Sequence, residues 1–344
     1  MAMALVVVTG AAFAPRSAAA KDGQIVWRMA SVFPGGLIQL GNLGTRFAAK
    51  LARISGGTFK IEFYEPGALV PQFESFDAVA GGAVDAAWST ANFWMSKDPA
   101  FALFSSVPFG PDAAELAAWI YEGGGAELMD RLYKPYGLKP VICGVVAPEA
   151  AGWFRKEIKR AEDLKGLKMR TFGLGAKVLK RLGVVPQLVA VDDILSSLER
   201  GSIDAAEFSM PAIDLRLGFH KVAKYYYFPG WHQQSTLLEF VANRKAWLGL
   251  SDIARAQVEI SCGDTFREGM AEGDALQVKA LIELRNEGVE IRRWPPKVLD
   301  KLRKSWTAVA SGLAAKSPNF KRIWTSYTRF REEYRVWREL GYLP

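Results

Sequence analysis

From Gln24 to Ser89 the hydrophobic pattern changes period four times, and this limits the available folds more than any single residue does. Gln24–Val32 alternates apolar and polar positions, as a strand with one buried face does, and ends at Pro34-Gly35-Gly36. Leu37–Ile54 repeats its apolar residues at helical spacing until Gly56-Gly57 stops it. Phe59–Tyr64 alternates again, Pro66-Gly67 turns the chain, and a helix is predicted over roughly Gln72–Ala80. Gly81-Gly82 closes that helix and Val84–Ser89 reads as a third strand. Strand, helix, strand, helix, strand predicts a mainly parallel sheet covered by helices.

The motif has an echo. Ala80-Gly81-Gly82-Ala83-Val84-Asp85-Ala86-Ala87 is matched by Glu199-Arg200-Gly201-Ser202-Ile203-Asp204-Ala205-Ala206. Each is a helix end, a glycine, then a strand entered through an aspartate and small residues. The copies are too far apart for a solenoid. Either a common helix-to-strand turn recurs, or each of two similar lobes holds one equivalent unit. A length of 344 residues, half of them hydrophobic, favours two lobes. Strands are expected at Pro140–Val146 and Gly152–Lys156, near a lobe crossing, and at Val222–Phe228 and Leu237–Ala242 around Pro229-Gly230-Trp231. Val191–Leu198 reads as a helix with Asp192-Asp193 at its positive end. Ser251–Asn286 reads as a long helix with kinks at its glycines, Val289–Arg292 as a short strand, and Pro296–Lys316 and Pro318–Leu340 as two further helices. The last carries Phe320, Trp324, Tyr327, Phe330, Tyr334 and Trp337 at helical spacing, a face to be buried in its own subunit or against another.

The formal charge is +8, but Lys and Arg are scattered among acids with no basic block or nucleic-acid motif, so no nucleic-acid partner is expected. Met1–Ala14 is apolar and small, and Ser17-Ala18-Ala19-Ala20 supplies an A-x-A cleavage site before Lys21, so residues 1–20 are expected to be a secretory signal peptide. Met1–Ala4 lacks a basic side chain, and the true start is expected upstream. The segment is short for a span and broken by Pro15-Arg16. Cys143 and Cys262 each read first as small buried hydrophobes, with a disulfide as the alternative. His220 and His232 read as packed or solvated, and so few cysteines and histidines leave no zinc-type cluster.

No nucleophile elbow, HExxH motif or P-loop is present, and Thr171–Gly175 lacks dinucleotide-binding spacing. Candidate chemistry centres on Asp163–Thr171. Asp163–Gly166 reads as a turn, Leu167–Arg170 alternates as a strand, and Phe172–Gly175 breaks it before a helical pattern at Ala176–Leu182. Arg170 is thus expected at the C-terminal end of a strand, where open α/β sheets collect ligands. Its planar charged fork suits a carboxylate or phosphate, and a surface ion pair is the competing reading. Around it stand Trp94 after the first echo, Glu149 before Gly152-Trp153, Glu207-Phe208 after the second echo, and Trp231 to Gln233. Aromatic walls with one fixed cation and a few acceptors suit a small organic anion, and carboxylates with carbonyls suit a hard metal ion.

At Gly152–Glu157, Leu164–Arg170, Gly201–Glu207 and Leu217–Trp231 the chain resembles the solute-binding proteins of tripartite ATP-independent periplasmic (TRAP) transporters. Within them it is similar to the subfamily that binds α-keto acids with a cation. The resemblance covers essentially the whole mature chain. It implies an α/β, two-lobed clamshell of the periplasmic-binding-protein type, with helices crossing between lobes and a C-terminal helix. Lobe I would comprise residues 21–147 and 232–270, lobe II 148–231 and 271–317, and residues 318–344 a helix exchanged in a homodimer. It implies that Arg170 takes the substrate carboxylate and that Trp94, Glu149, Phe208 and Trp231 line the site. Glu207, the Phe208 carbonyl, Gln233 and Glu149 would hold Na⁺ or Ca²⁺. The chain departs from the subfamily pattern in two places: Glu149 stands for a glutamine and Gln233 for the cation's glutamate, so the carboxylate count is kept. Ser209-Met210-Pro211-Ala212 replaces a more polar stretch, which leaves room for an acid unlike pyruvate. The implied function is a periplasmic receptor that hands a small organic acid to membrane permease subunits and is not an enzyme. The alternatives are a secreted hydrolase or lyase, which needs a nucleophile or acid–base partner beside Arg170, and a ligand-sensing partner of a membrane kinase.

Overall fold

The computed structural model describes residues 23–343, so the expected signal peptide lies outside the described residues. The chain builds two sheets. Strands β1 (Ile25–Ser31), β2 (Phe59–Tyr64), β3 (Ala86–Ser89) and β4 (Leu138–Val146) belong to the first. The chain then crosses to the second sheet through β5 (Gly152–Phe154), β6 (Lys168–Arg170), β7 (Val185–Gln187), β8 (Ala205–Ala206) and β9 (Tyr225–Phe228). It returns as β10 (Thr236–Asn243) and later adds β11 (Glu290–Arg293) to the second sheet. The strand orders are β2-β1-β3-β10-β4 and β11-β9-β5-β8-β6-β7.

In each sheet one interior strand opposes its neighbours. β10 is antiparallel to β3 and β4, and β5 to β8 and β9. The other pairs are parallel. The sheets are therefore mixed rather than simply parallel. β5 and β10 are the two strands that enter a sheet directly from the other one, without the helical crossover a parallel neighbour needs.

The sequence echo is structural. Asp85 accepts from the Arg28 amide at 2.8 Å while its own N–H donates to Arg28 O at 3.2 Å. Asp204 does the same to Lys168, at 2.9 and 2.7 Å. Each aspartate closes a two-way link to the adjacent parallel strand, β1 in one sheet and β6 in the other. Gly82 and Gly201, at φ +74° and +68°, make the left-handed turn that leads there.

The helix Asp252–Asn286 is unbroken. Two of its three glycines serve close packing: a Cβ on Gly269 would lie 2.8 Å from Val145 O, and one on Gly273 3.0 Å from the Ala147 Cβ, while Gly263 faces open space. The helix thus lies against β4, and a disulfide joins Cys143 of β4 to Cys262 of the helix. Both sulfurs are buried, but the reading as separate hydrophobes is corrected. The partners lie 119 residues apart and meet only through this packing. In the terminal helix Pro318–Gly341, Phe320, Ile323 and Tyr327 are buried in the same chain, and Trp324 meets Trp306 edge-on at 5.4 Å. Its outer end leaves Val336, Trp337 and Leu340 exposed. No helix among the described residues is long and apolar enough to cross a membrane.

Candidate functional site

The two crossings between the sheets touch. The Glu149 N–H donates to Gln233 O at 3.0 Å, and the Gly230 N–H donates to Glu149 O at 3.0 Å. A Cβ on Gly230 would stand 2.1 Å from that oxygen, so the contact requires glycine. Glu149, His232 and Gln233 are thereby held between the sheets. Arg170 is the last residue of β6, as its position before the Phe172–Gly175 break predicts. Glu207 follows β8, and its N–H donates to Arg170 O at 2.9 Å, extending the parallel ladder past the strand ends. The side chains therefore converge where carboxyl ends of strands meet the crossings, the usual ligand position in α/β sheets.

Arg170 is 7% exposed. Its Nη1 donates to Glu207 O at 2.5 Å and lies 3.7 Å from Glu207 Oε2. The rings of Phe172 and Phe208 flank it at 5.3 and 5.1 Å. His232 Nε2 lies 3.4 Å from Glu207 Oε1 and 3.9 Å from Glu149 Oε2. Glu149 Oε2, both Glu207 carboxylate oxygens, Arg170 Nε and His232 Nε2 are buried with no hydrogen-bond partner among the described residues. One such group costs on the order of 1–3 kcal/mol, so five together mark a place where a ligand completes the bonding. The two carboxylates and the Gln233 amide oxygen are hard donors that fit Na⁺ or Ca²⁺.

The carboxylates are not equivalent. Burial, then the charge of Glu207, pushes Glu149 well above the usual carboxylate range. Burial also pushes Glu207 upward, but His232 and Arg170 outweigh it and hold Glu207 below that range. Burial lowers Arg170, against the pull of Glu207 and Glu149. Behind them Asp214 accepts from Trp153 Nε1 at 2.9 Å and from the Tyr226 hydroxyl at 2.8 Å, and burial raises its pKa to about 7.

Arg170, Glu149, Phe208 and Gln233 line one cavity of about 330 Å³; Glu207 is not on its wall and meets it through Arg170, its Oε2 lying 3.7 Å from Arg170 Nη1. Trp94 and Trp231 are not on its wall. Trp94 turns its indole into the first sheet, donating to the buried Glu239 at 2.9 Å, while its neighbour Phe93 forms the wall and stacks on Phe172 at 5.6 Å. Trp231 packs on Phe109 at 5.7 Å. In sequence His232 stood only within Trp231 to Gln233, as a packed or solvated side chain, and Phe172 only as a strand break, while Phe93 and the segment Leu188–Val191 were missed. For His232 the available signal was its place next to Gln233 in the second crossing.

Residues 29–317 match the family model DctP, bacterial extracellular solute-binding protein family 7. The monocarboxylate 2-oxoacid-binding periplasmic protein of Nostoc sp. is 33% identical over 318 residues, covering 92% of this chain and 87% of that protein. A TRAP transporter solute-binding protein from Bordetella bronchiseptica, a dimer of mixed occupancy with copurified calcium and picolinate, superposes with a TM-score of 0.89 at 35% identity, covering 93% of this chain and 95% of that one. Another, from Pseudoalteromonas atlantica with bound sodium and pyruvate, gives 0.88 at 32% identity, with 92% and 97% covered. The match over nearly all of the described chain, and the two-sheet architecture shared with these structures, establish that this chain belongs to the DctP family of TRAP transporter solute-binding proteins.

Proposed function

We propose that this chain is a periplasmic receptor that captures a small 2-oxo or 2-hydroxy monocarboxylate together with Na⁺ or Ca²⁺ and delivers it to TRAP permease subunits. The observation that carries the reading is the buried, unpartnered set of Arg170, Glu149, Glu207 and His232 atoms where the carboxyl ends of β6 and β8 meet the two crossings. Arg170 makes the charge-assisted bond to the ligand carboxylate. Glu149, Glu207, the Phe208 carbonyl and Gln233 hold the cation, which supplies positive charge for the ligand's oxygens. Glu149 carries the carboxylate that the subfamily pattern places at position 233. With Glu149 ionised as a ligand of the cation, Arg170, Glu149 and Glu207 sum to one negative charge, and a ligand carboxylate makes two. A divalent cation cancels them, whereas a monovalent one leaves one negative charge, a balance that favours calcium. This agrees with the ions bound in the Bordetella and Pseudoalteromonas proteins only in part, since the latter holds sodium.

The lobes are residues 21–147 with 232–270 and residues 148–231 with 271–317, hinged at the two touching crossings. Closure excludes water, strengthens the Arg170 bond and uses ligand affinity to shift an open–closed equilibrium. The chain pairs as a homodimer through the exposed end of helix Pro318–Gly341. Calorimetry of the purified protein with pyruvate and calcium tests the reading: binding should appear with the cation and vanish with a chelator. No heat from any 2-oxo or 2-hydroxy acid, with or without cation, would overturn it.

A further inference from the structure

We infer that the ligand of this chain is a 2-oxo acid with a branched or aromatic apolar substituent rather than a three-carbon acid. The inference rests on the reading of the cavity as a 2-oxo acid site and concerns what fills the remainder of it. The cavity measures about 330 Å³. That is within the range of about 300–1,000 Å³ that houses drug-sized ligands, and equals about eleven water volumes at about 30 Å³ each. A three-carbon acid with its cation leaves much of this space empty.

The lining shows what belongs there. Thirteen of its nineteen residues are apolar. Two of the six polar ones are already engaged: the Gln72 amide donates to Val32 O at 2.7 Å, and the Thr90 hydroxyl shares a 2.5 Å hydrogen bond with Ser105. Gln233 Nε2 donates to Thr236 Oγ1 at 3.0 Å. Polar recognition is left to Arg170, Glu149 and the Gln233 oxygen, the groups that take the carboxylate, the oxo oxygen and the cation. The rest of the ligand meets carbon. Phe33 and Leu37 beyond β1 supply one apolar wall, and Leu188 and Val189 beyond β7 supply another. Leu188 is 76% exposed and carries that wall out to the mouth. A second carboxylate or a hydroxylated tail would lie there without a partner, at the cost of its hydration.

The test is competition calorimetry on the purified, calcium-loaded protein with pyruvate, 4-methyl-2-oxopentanoate, phenylpyruvate and 2-oxoglutarate. Each methylene buried against the walls favours binding by up to about fourfold, so the two apolar acids should bind at least about tenfold tighter than pyruvate. The dicarboxylate should bind weaker than pyruvate. Val189→Phe should reduce the preference for 4-methyl-2-oxopentanoate over pyruvate several-fold, and an unchanged preference would overturn the assignment of that wall. Pyruvate binding as tightly as both apolar acids would overturn this inference while leaving the 2-oxo acid reading intact. Failure of all four acids to bind would overturn both.

Discussion

Replacing Arg170 with alanine is the perturbation whose size the structure best defines. Arg170 is 7% exposed and its guanidinium lies between Phe172 and Phe208, so it meets the ligand with little competition from water. Truncating one partner of a buried, hydrogen-bonded charge pair costs about 2–5 kcal/mol, or about 30-fold to several-thousand-fold in Kd. Exclusion of water puts Arg170→Ala in the upper half of that range. Arg170→Lys keeps the charge but loses the planar fork and its ring contacts, so it should fall between alanine and wild type. Arg170 also donates to Glu207 O at 2.5 Å and offsets two buried carboxylates, so the ligand-free variant should lose about 3–5 kcal/mol of stability. Calorimetry with pyruvate and calcium, paired with thermal unfolding, separates the two effects. A folded Arg170→Ala protein that binds within threefold of wild type would refute the reasoning.

Three further outcomes follow from other groups. Glu149→Gln should abolish the calcium dependence of ligand binding, measured by calorimetry with and without chelator; unchanged dependence would mean that Glu149 is not a ligand of the cation. Cys143→Ser removes a cross-link across 119 residues, worth about 5 kcal/mol of loop-closure entropy, and denaturant unfolding should read a loss of that order; under 1 kcal/mol would refute it. Asp214 has a folded pKa of about 7 against an ordinary 3.8. The native state therefore holds the proton more tightly, and this group's penalty on stability grows as pH rises from about 4 to 7, to on the order of 4 kcal/mol. Asp214→Asn should remove that part of the pH slope, and an unchanged slope in thermal melts between pH 4 and 8 would count against it.

Local signals made much of the architecture legible. The period changes before Ser89 identify β1 to β3 and their helices, and the Asp85 and Asp204 echo marks the same strand-to-strand link in both sheets. Arg170 was readable because a strand, a glycine break and a helix follow in order around it. What was not legible depends on distant packing. The direction of β10 depends on where the chain enters the first sheet, and the Cys143–Cys262 pair exists only because β4 lies against the long helix. Trp94 and Phe93 are adjacent in the short helix Ala91–Trp94, and which of them faces the cavity is decided by Glu239, 145 residues away. His232 looked ordinary in sequence because its carboxylate neighbours arrive from the other crossing and from β8.

The most direct measurement is a crystal structure of the protein grown with calcium and a 2-oxo acid. The ligand carboxylate should lie on the Arg170 guanidinium, with the cation between ligand oxygens and the carboxylates of Glu149 and Glu207. A ligand bound elsewhere, with Arg170 still engaging only Glu207, would contradict it.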